Sequence, residues 1–391
     1  MTDKNLRIHI IGTGIAGLTT AIALQQAGYK PMLFEQASEL GEVGAGITVG
    51  PNAARVLIHL GLEERLKPHC WLPRHTGVLN FATGERIRYN LRGEGYMDNF
   101  GAPFWHIHRA DLLFCLADEL KETGIAEFHF GHKLITVSQD ENGVTCGFEN
   151  GATTQCDVLI AADGIKSHVR DLLFDSAPPE FTGFVAWRGL VDRAVLPKHV
   201  IDPDFAIYAG QNRMVGRYTV RQRSLINIVA MAQQPHWREE GWAVQADVNE
   251  LVAEFGDWHE SVTSVLAAIP PETCFKWALH IRKPTTEWVN NRVVLLGDAA
   301  HPMAPFLGLG AGMGIEDGMV LARAFSDSTD WLEALSRYQA ARVPRGNHAQ
   351  AESSRQGMYL LNIQPGDPVD KSLLGEDALG LFGYDAVNVR I

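Results

Sequence analysis

The sequence predicts an α/β fold: a parallel, dinucleotide-binding sheet with an inserted, mostly antiparallel second domain. Three observations carry that prediction. A glycine-rich strand–helix–strand unit opens the chain, strand–helix alternation returns in two later stretches, and the segment between them turns to alternating apolar and polar residues.

The opening unit is "LRIHIIGTGIAGLTTAIALQQAGYKPMLFEQ" (residues 6–36). "LRIHII" is short, apolar and rich in Ile, as suits a strand buried on both faces. Gly12, Gly14 and Gly17 then form G-x-G-x-x-G ahead of an apolar stretch at helical spacing, which Gly28 ends as a C′ residue. The glycines allow a tight turn, close approach of backbone to a pyrophosphate and tight packing of helix on strand, while the helix N-terminus favours negative charge. "YKPMLFE" is the second strand. Glu35 ends it, 23 positions after Gly12, as an acceptor for ribose hydroxyls. That acid disfavours a 2′-phosphate, which ranks NADP last; the unit alone leaves NAD and FAD open.

At 391 residues the chain is long enough for two domains, each with its own core. Hydrophobic residues at 46% and charged residues at 20% are ordinary for a globular protein. A net charge of −12 argues against nucleic acid or an anionic membrane as partner, because both require a cationic surface. The five cysteines show neither C-x-x-C nor zinc spacing, so no disulfide and no metal site is expected. With no secretory signal and no run of eighteen apolar residues, the expectation is a cytoplasmic protein without a membrane span.

Two later motifs matter for function. "CDVLIAADGIKSHVRDLLF" (156–174) reads as a strand, then Asp163-Gly164, then a helix. "NRVVLLGDAAHPMAPFLGLGAGMGIEDGMVLARAF" (291–325) reads as a strand, Asp298, a Gly/Pro-rich loop and a helix opening near Gly310. Gly308, Gly310, Gly312 and Gly314 let backbone N–H groups approach a flat ring, and the positive end of the helix faces whatever lies over the loop. Between these motifs, alternating runs such as "FAIYAG" and "SLINIVAM" predict antiparallel strands, with a helical excursion near 249–269.

The three motifs together resemble those of the single-component (group A) FAD-dependent aromatic hydroxylases. Within that family the chain is similar to salicylate hydroxylase, 3-hydroxybenzoate 6-hydroxylase and 6-hydroxynicotinate 3-monooxygenase, from about Arg7 to Arg345 and again at the tail "LFGYD". The resemblance implies a Rossmann-like FAD-binding domain and an inserted substrate domain. FAD is expected to be held non-covalently, by Gly12, Gly14, Gly17, Glu35 and Gln36 at its ADP half and by Arg109, Asp163 and Asp298 along its length. Gly46, Ile47 and Thr48 line one side of the isoalloxazine, and the Gly310 and Ala311 backbone meets it. The implied reaction uses NADH or NADPH and O2 to hydroxylate a phenolic aromatic acid, such as salicylate, through a flavin C4a-hydroperoxide. His301 and Tyr218 are the candidates for favouring the substrate phenolate, and Phe306, Leu307 and Leu309 for excluding water. Leu309 departs from the family, whose common residue at this place is Gln.

The resulting organisation is a discontinuous FAD domain (1–75, 101–178, 281–345), a substrate domain (76–100, 179–280), and a C-terminal helix and tail (346–391). The protein is expected to be a monomer or homodimer. Arg188 is a candidate partner for a substrate carboxylate or for a surface ion pair. His106 and His108 share a strand face but have no third ligand nearby, so they read as core or flavin-pocket residues. Two other readings stay open. One is an FAD-dependent dehydrogenase or oxidase of an amine or alcohol; the other is a non-catalytic carrier on the same fold.

Overall fold

The computed structural model describes residues 2–41, 45–91, 94–174, 177–237, 244–363 and 379–391. Two main sheets organise it. The first has six strands in the order 289–290, 293–295, 158–161, 8–11, 32–34, 127–129, parallel except for the edge pair Val289–Asn290 with Val293–Leu295. Its central strands "IHII", "VLIA" and "VVL" are buried along their whole length. That burial follows from cover on both faces and explains why these strands are runs of apolar residues without alternation.

The first helix, Ile15–Gln26, ends where the sequence reading placed it, with Gly28 at φ +91°. It packs along a late helix, Gly310–Asp327, and small residues set the approach. A Cβ built on Gly314 would lie 2.8 Å from Ala16 Cβ, and one on Gly318 would lie 2.7 Å from Thr20 Oγ1. Below the first sheet lies a three-stranded antiparallel meander, Leu134–Asp140, Gly143–Phe148 and Thr153–Cys156. From the sequence this stretch falls within the strand–helix alternation expected over 105–173. Its "DENG" and "ENGA" turns instead close hairpins.

The second sheet has eight strands in the order 244–245, 275–281, 180–192, 225–233, 213–220, 205–210, 75–80, 86–91. All pairs are antiparallel except Phe205–Gly210 with His75–Asn80. Side chains alternate between two environments. Val185, Trp187, Val215, Ile228 and Ala230 pack on the helices Val248–Glu254 and Glu260–Ala267. Ala186, Met214 and Met231 face the other way, toward Leu360 and Leu361 at the end of a long helix, Trp331–Asn362. That helix continues through Pro344 and through the boundary at 345 read from the sequence. The sequence makes "NIQPGDPVDKSLLGED" (362–377) a turn-rich tail; residues 364–378, and with them most of that tail, lie outside the described residues, as do 238–243. Among the described residues no helix is long and apolar enough to cross a membrane.

Candidate active site

Four adjacent parallel strands end at residues of the three motifs. Leu295 leads to Asp298, Ala161 to Asp163, Ile11 to Gly12, and Phe34 to Glu35. Carboxyl ends of parallel strands are where such sheets bind ligands, and three strand spacings place these groups along an edge of about 14 Å.

Each glycine of the first motif has a distinct reason to be glycine. Gly12 sits at φ +101°, and a Cβ there would strike the Ala162 carbonyl; one on Gly17 would strike the Gly12 carbonyl. A Cβ built on Gly14, by contrast, would meet nothing within 4 Å among the described residues, so the backbone is open to a ligand at the N-cap of the first helix. That helix start has no side-chain cap and no acidic residue in its first turn, which leaves its N–H groups for an anion. Glu35 Oε2 accepts from the Thr13 backbone N (3.0 Å) and Oγ1 (2.9 Å), and Oε1 accepts from Ala37 N (3.0 Å). Together Thr13, Gly14, Glu35, Ala37, Leu40 and Leu113 border a cleft of about 140 Å³. Gln36 is exposed beside it.

Asp163 Oδ2 accepts from the backbone N of His168 (2.9 Å) and Val169 (3.3 Å), while its buried Oδ1 has no hydrogen-bond partner among the described residues. Burial raises its pKa, against the hydrogen bonds from Ser167 and the backbone. Asp298 is open to the cleft but closely surrounded by protein. Burial raises its pKa too, and the charges of His301 and Arg109 oppose the rise. Arg109 opens the helix Arg109–Thr123, and its backbone N holds Ala45 O at 2.8 Å. Asp298 Oδ1 lies 3.8 Å from where a Cβ on Gly310 would stand, at the start of the uncapped helix Gly310–Asp327. Gly310 and Ala311 are half-buried there.

The strand Gly46–Val49 closes the other side. Thr48 Oγ1 donates to Gly308 O (3.0 Å), Ile47 is half-exposed, and the Gly46 N–H donates to Asn227 Oδ1 (2.6 Å) across to the second sheet. Its partner strand, Trp105–His108, carries His106 opposite Thr48 and His108 opposite Gly46. His106 Nδ1 lies 3.2 Å from Thr219 O, so this histidine ties the Gly46–Val49/Trp105–His108 strand pair to the eight-stranded sheet. Among the described residues no group of three or more His, Cys, Asp or Glu is placed to hold a metal.

Tyr218 stands at the junction. Its ring tilts on His106 at 4.8 Å and meets Phe205 edge-on, and its Cε2 would lie 2.7 Å from a Cβ on Gly46. Arg188 lies on the same sheet face, its guanidinium over Phe275 and Trp277. Phe306 and Leu307 are half-buried on the adjoining loop.

Two placements correct the sequence reading. His301 does not face the cleft: it is 0% exposed, and its Nε2 donates to Asp317 Oδ2 at 2.6 Å. The helix Gly310–Asp327 turns Asp317 inward, and a buried carboxylate captures the nearest donor. Leu309 is 3% exposed and packs with Tyr96, Phe104, Met313 and Phe382, so its side chain belongs to an apolar cluster.

Sequence reasoning missed the groups behind the cleft. Asp317 Oδ2 also accepts from Gly297 N (2.9 Å), and Oδ1 accepts from Arg342 Nε (2.6 Å). Arg170 Nη1 donates to Ala299 O and Ala300 O, both at 3.0 Å, and so braces the turn that presents Asp298 from the helix after Asp163. Glu316 binds Arg342, Arg345 and Asn52. The available signal was "GIEDGMVLARAF": two adjacent acids on a mostly apolar helix require buried partners.

An open Gly14, two uncapped helix N-termini and the unpartnered Asp163 Oδ1 fit an extended dinucleotide with a flat ring over Gly310. A family model described as an FAD binding domain matches residues 5–353. The chain belongs to that family, and by class it is an FAD-dependent aromatic monooxygenase. Salicylate hydroxylase of Pseudomonas putida is 34% identical, with 97% of this chain and 92% of that protein covered. For 3-amino-4-hydroxybenzoate 2-monooxygenase of Streptomyces platensis the identity is also 34%, over 91% and 89%. A solved structure of a salicylate hydroxylase substrate complex matches with TM-score 0.81 at 29% identity, covering 98% of this chain and 96% of that one.

Proposed function

We propose that this protein uses NADH or NADPH and O2 to hydroxylate a monocyclic phenolic acid of the hydroxybenzoate type, in the cytoplasm and as a monomer or homodimer. The observation that carries the reading is the junction at Tyr218, where a phenol from the second sheet stands against the FAD-lining strand at Gly46. Relatives named for salicylate and 3-amino-4-hydroxybenzoate supply the substrate class. The first sheet and its helices form the FAD domain in this reading, and the eight-stranded sheet forms the substrate domain, with the segment boundaries expected from the sequence.

Bound FAD supplies the redox chemistry, taking electrons from the nicotinamide and activating O2. The chain does the rest. Gly12, Gly14, Gly17 and Glu35 hold the ADP half, and Arg109, Asp163 and Asp298 hold the middle. Gly46, Ile47, Thr48, Gly310 and Ala311 border the ring, where the helix start favours negative charge on its edge. Burial holds the Tyr218 phenol above its usual pKa, so it stays protonated near neutrality and donates a hydrogen bond to a substrate phenolate. Phe306 and Leu307 keep water from the reacting face. His301 is a positioning residue: with Asp317 it fixes the Gly297 turn that aims Asp298.

The test is oxidation of NADH and NADPH by the purified flavoprotein with and without hydroxybenzoates and hydroxypyridine acids, with products weighed by mass spectrometry. Substrate-stimulated oxidation and the gain of one oxygen, with or without loss of CO2, are expected. Substrate oxidation without any nicotinamide requirement would move the protein to the dehydrogenase class.

A further inference from the structure

In the cleft-facing side of the eight-stranded sheet one position has no side chain. Arg188, Val229, Gly216 and Ile207 are successive cross-strand partners and form one row. The rows on either side, Tyr218 with Asn227 and Met214 with Met231, Ala186 and Ala209, are buried. In the middle row Val229 and Ile207 are only half-buried, although they sit in the interior of the sheet. Between them Gly216 is itself buried, yet among the described residues a Cβ built there meets nothing closer than Val229 O at 3.9 Å.

Sheet geometry does not require this glycine. Its φ is not among the positive ones, and glycine weakens a strand that alanine or valine would strengthen. What the glycine provides is space, and a glycine inside a strand often marks close approach of a ligand. The hollow lies two residues from Tyr218 on the same face, about 7 Å along the strand, and Phe306 from the Gly/Pro-rich loop packs into the same apolar group. It is therefore an apolar hollow next to the groups that border the flavin.

We propose that Gly216 is the size-determining position of the substrate site: the aromatic ring occupies the hollow above it, between Ile207 and Val229. This rests on the hydroxylase reading above. The class of ligand is a single aromatic ring, because Ile207 and Val229 beside Gly216 are aliphatic and the polar groups, Arg188 at the far end of this row and Tyr218 in the next, stand at the margin.

The experiment compares wild type with G216A and G216V. Salicylate, 3-hydroxybenzoate, 6-hydroxynicotinate and 3-amino-4-hydroxybenzoate serve as probes, read by perturbation of the flavin absorption spectrum and by stimulated NAD(P)H oxidation. For the compound that the wild type accepts, G216A is expected to raise Kd and KM about tenfold, and G216V more. FAD content and the slow oxidation without substrate should not change, and thermal stability should hold or rise, which separates lost space from lost fold. An active wild type whose G216A variant folds and keeps Kd and KM within twofold would overturn the size-determining role alone. A wild type that neither binds nor is stimulated by any of the four probes would overturn the hydroxybenzoate-type substrate reading, and this role with it.

Discussion

Asp298 shows how one side chain acquires its role from several sources. It follows a buried strand, stands at the open start of a helix, and rests on a turn braced by Arg170 and Asp317. A carboxylate so placed suits hydroxyls of a bound ribityl chain. Asp298→Ala is expected to weaken FAD retention by about tenfold to a hundredfold, the worth of a hydrogen bond to a charged group. The flavin-to-protein ratio after gel filtration measures it, and a variant that keeps its full flavin would remove Asp298 from the binding set. Leu309 makes the opposite case. Its side chain is enclosed by apolar neighbours, so Leu309→Gln should cost about 1–3 kcal/mol through an amide without partners. Thermal unfolding should register that loss while the coupling of NAD(P)H oxidation to product stays constant.

Between elements, the decisive contact is the first helix against Gly310–Asp327. Both helices point their N-termini at the cleft, and their mutual distance sets how pyrophosphate and ring are presented together. Ala16 and Thr20 meet Gly297, Gly314 and Gly318 with no room for a further methyl group. Gly318→Ala would press on the Thr20 backbone as well as its hydroxyl and should destabilise by about 1–3 kcal/mol. Chemical denaturation of the apoprotein would reveal this, and an unchanged midpoint would mean that the helices can separate without cost. A second link between elements is the turn after Val220, where Arg221, Gln222 and Arg223 all adopt positive φ. Arg221 binds both oxygens of Asp111, in the first turn of the helix that Arg109 opens, and Gln222 reaches three carbonyls between Lys67 and Cys70.

Across the whole molecule, the buried ions behind the cleft couple stability to pH. Burial alone would raise the Asp317 carboxyl, but the charges of His301 and Arg342 and their hydrogen bonds outweigh it and hold the pKa at about 2. A folded pKa below the ordinary 3.8 means stabilisation that is present above about pH 4 and lost as pH falls toward 2. The amount is on the order of 2 kcal/mol. Melting temperatures between pH 5 and 2 should therefore fall more steeply for wild type than for Asp317→Asn, which starts lower at neutral pH. Parallel curves would show that this carboxyl does not titrate with unfolding.

The parts of this protein that were legible in the amino-acid sequence are those whose cause is local. Gly12 takes a positive φ, Gly17 packs on the Gly12 carbonyl and Gly14 leaves the backbone open, Glu35 follows its strand directly, and apolar runs announce strands buried on both faces. Dinucleotide binding and the mixed α/β fold follow from these, and the resemblance of the three motifs together narrows the dinucleotide to FAD. Placement of His301, Leu309 and Gly216 was decided only by the tertiary structure. His301 was drawn inward by a carboxylate 16 residues away, Leu309 by a tail ending more than 70 residues later, and Gly216 became a hollow only once Ile207 and Val229 flanked it. Burial and partnership depend on contacts between distant segments, so no local pattern encodes which side of a residue will meet the cofactor and which will meet the core.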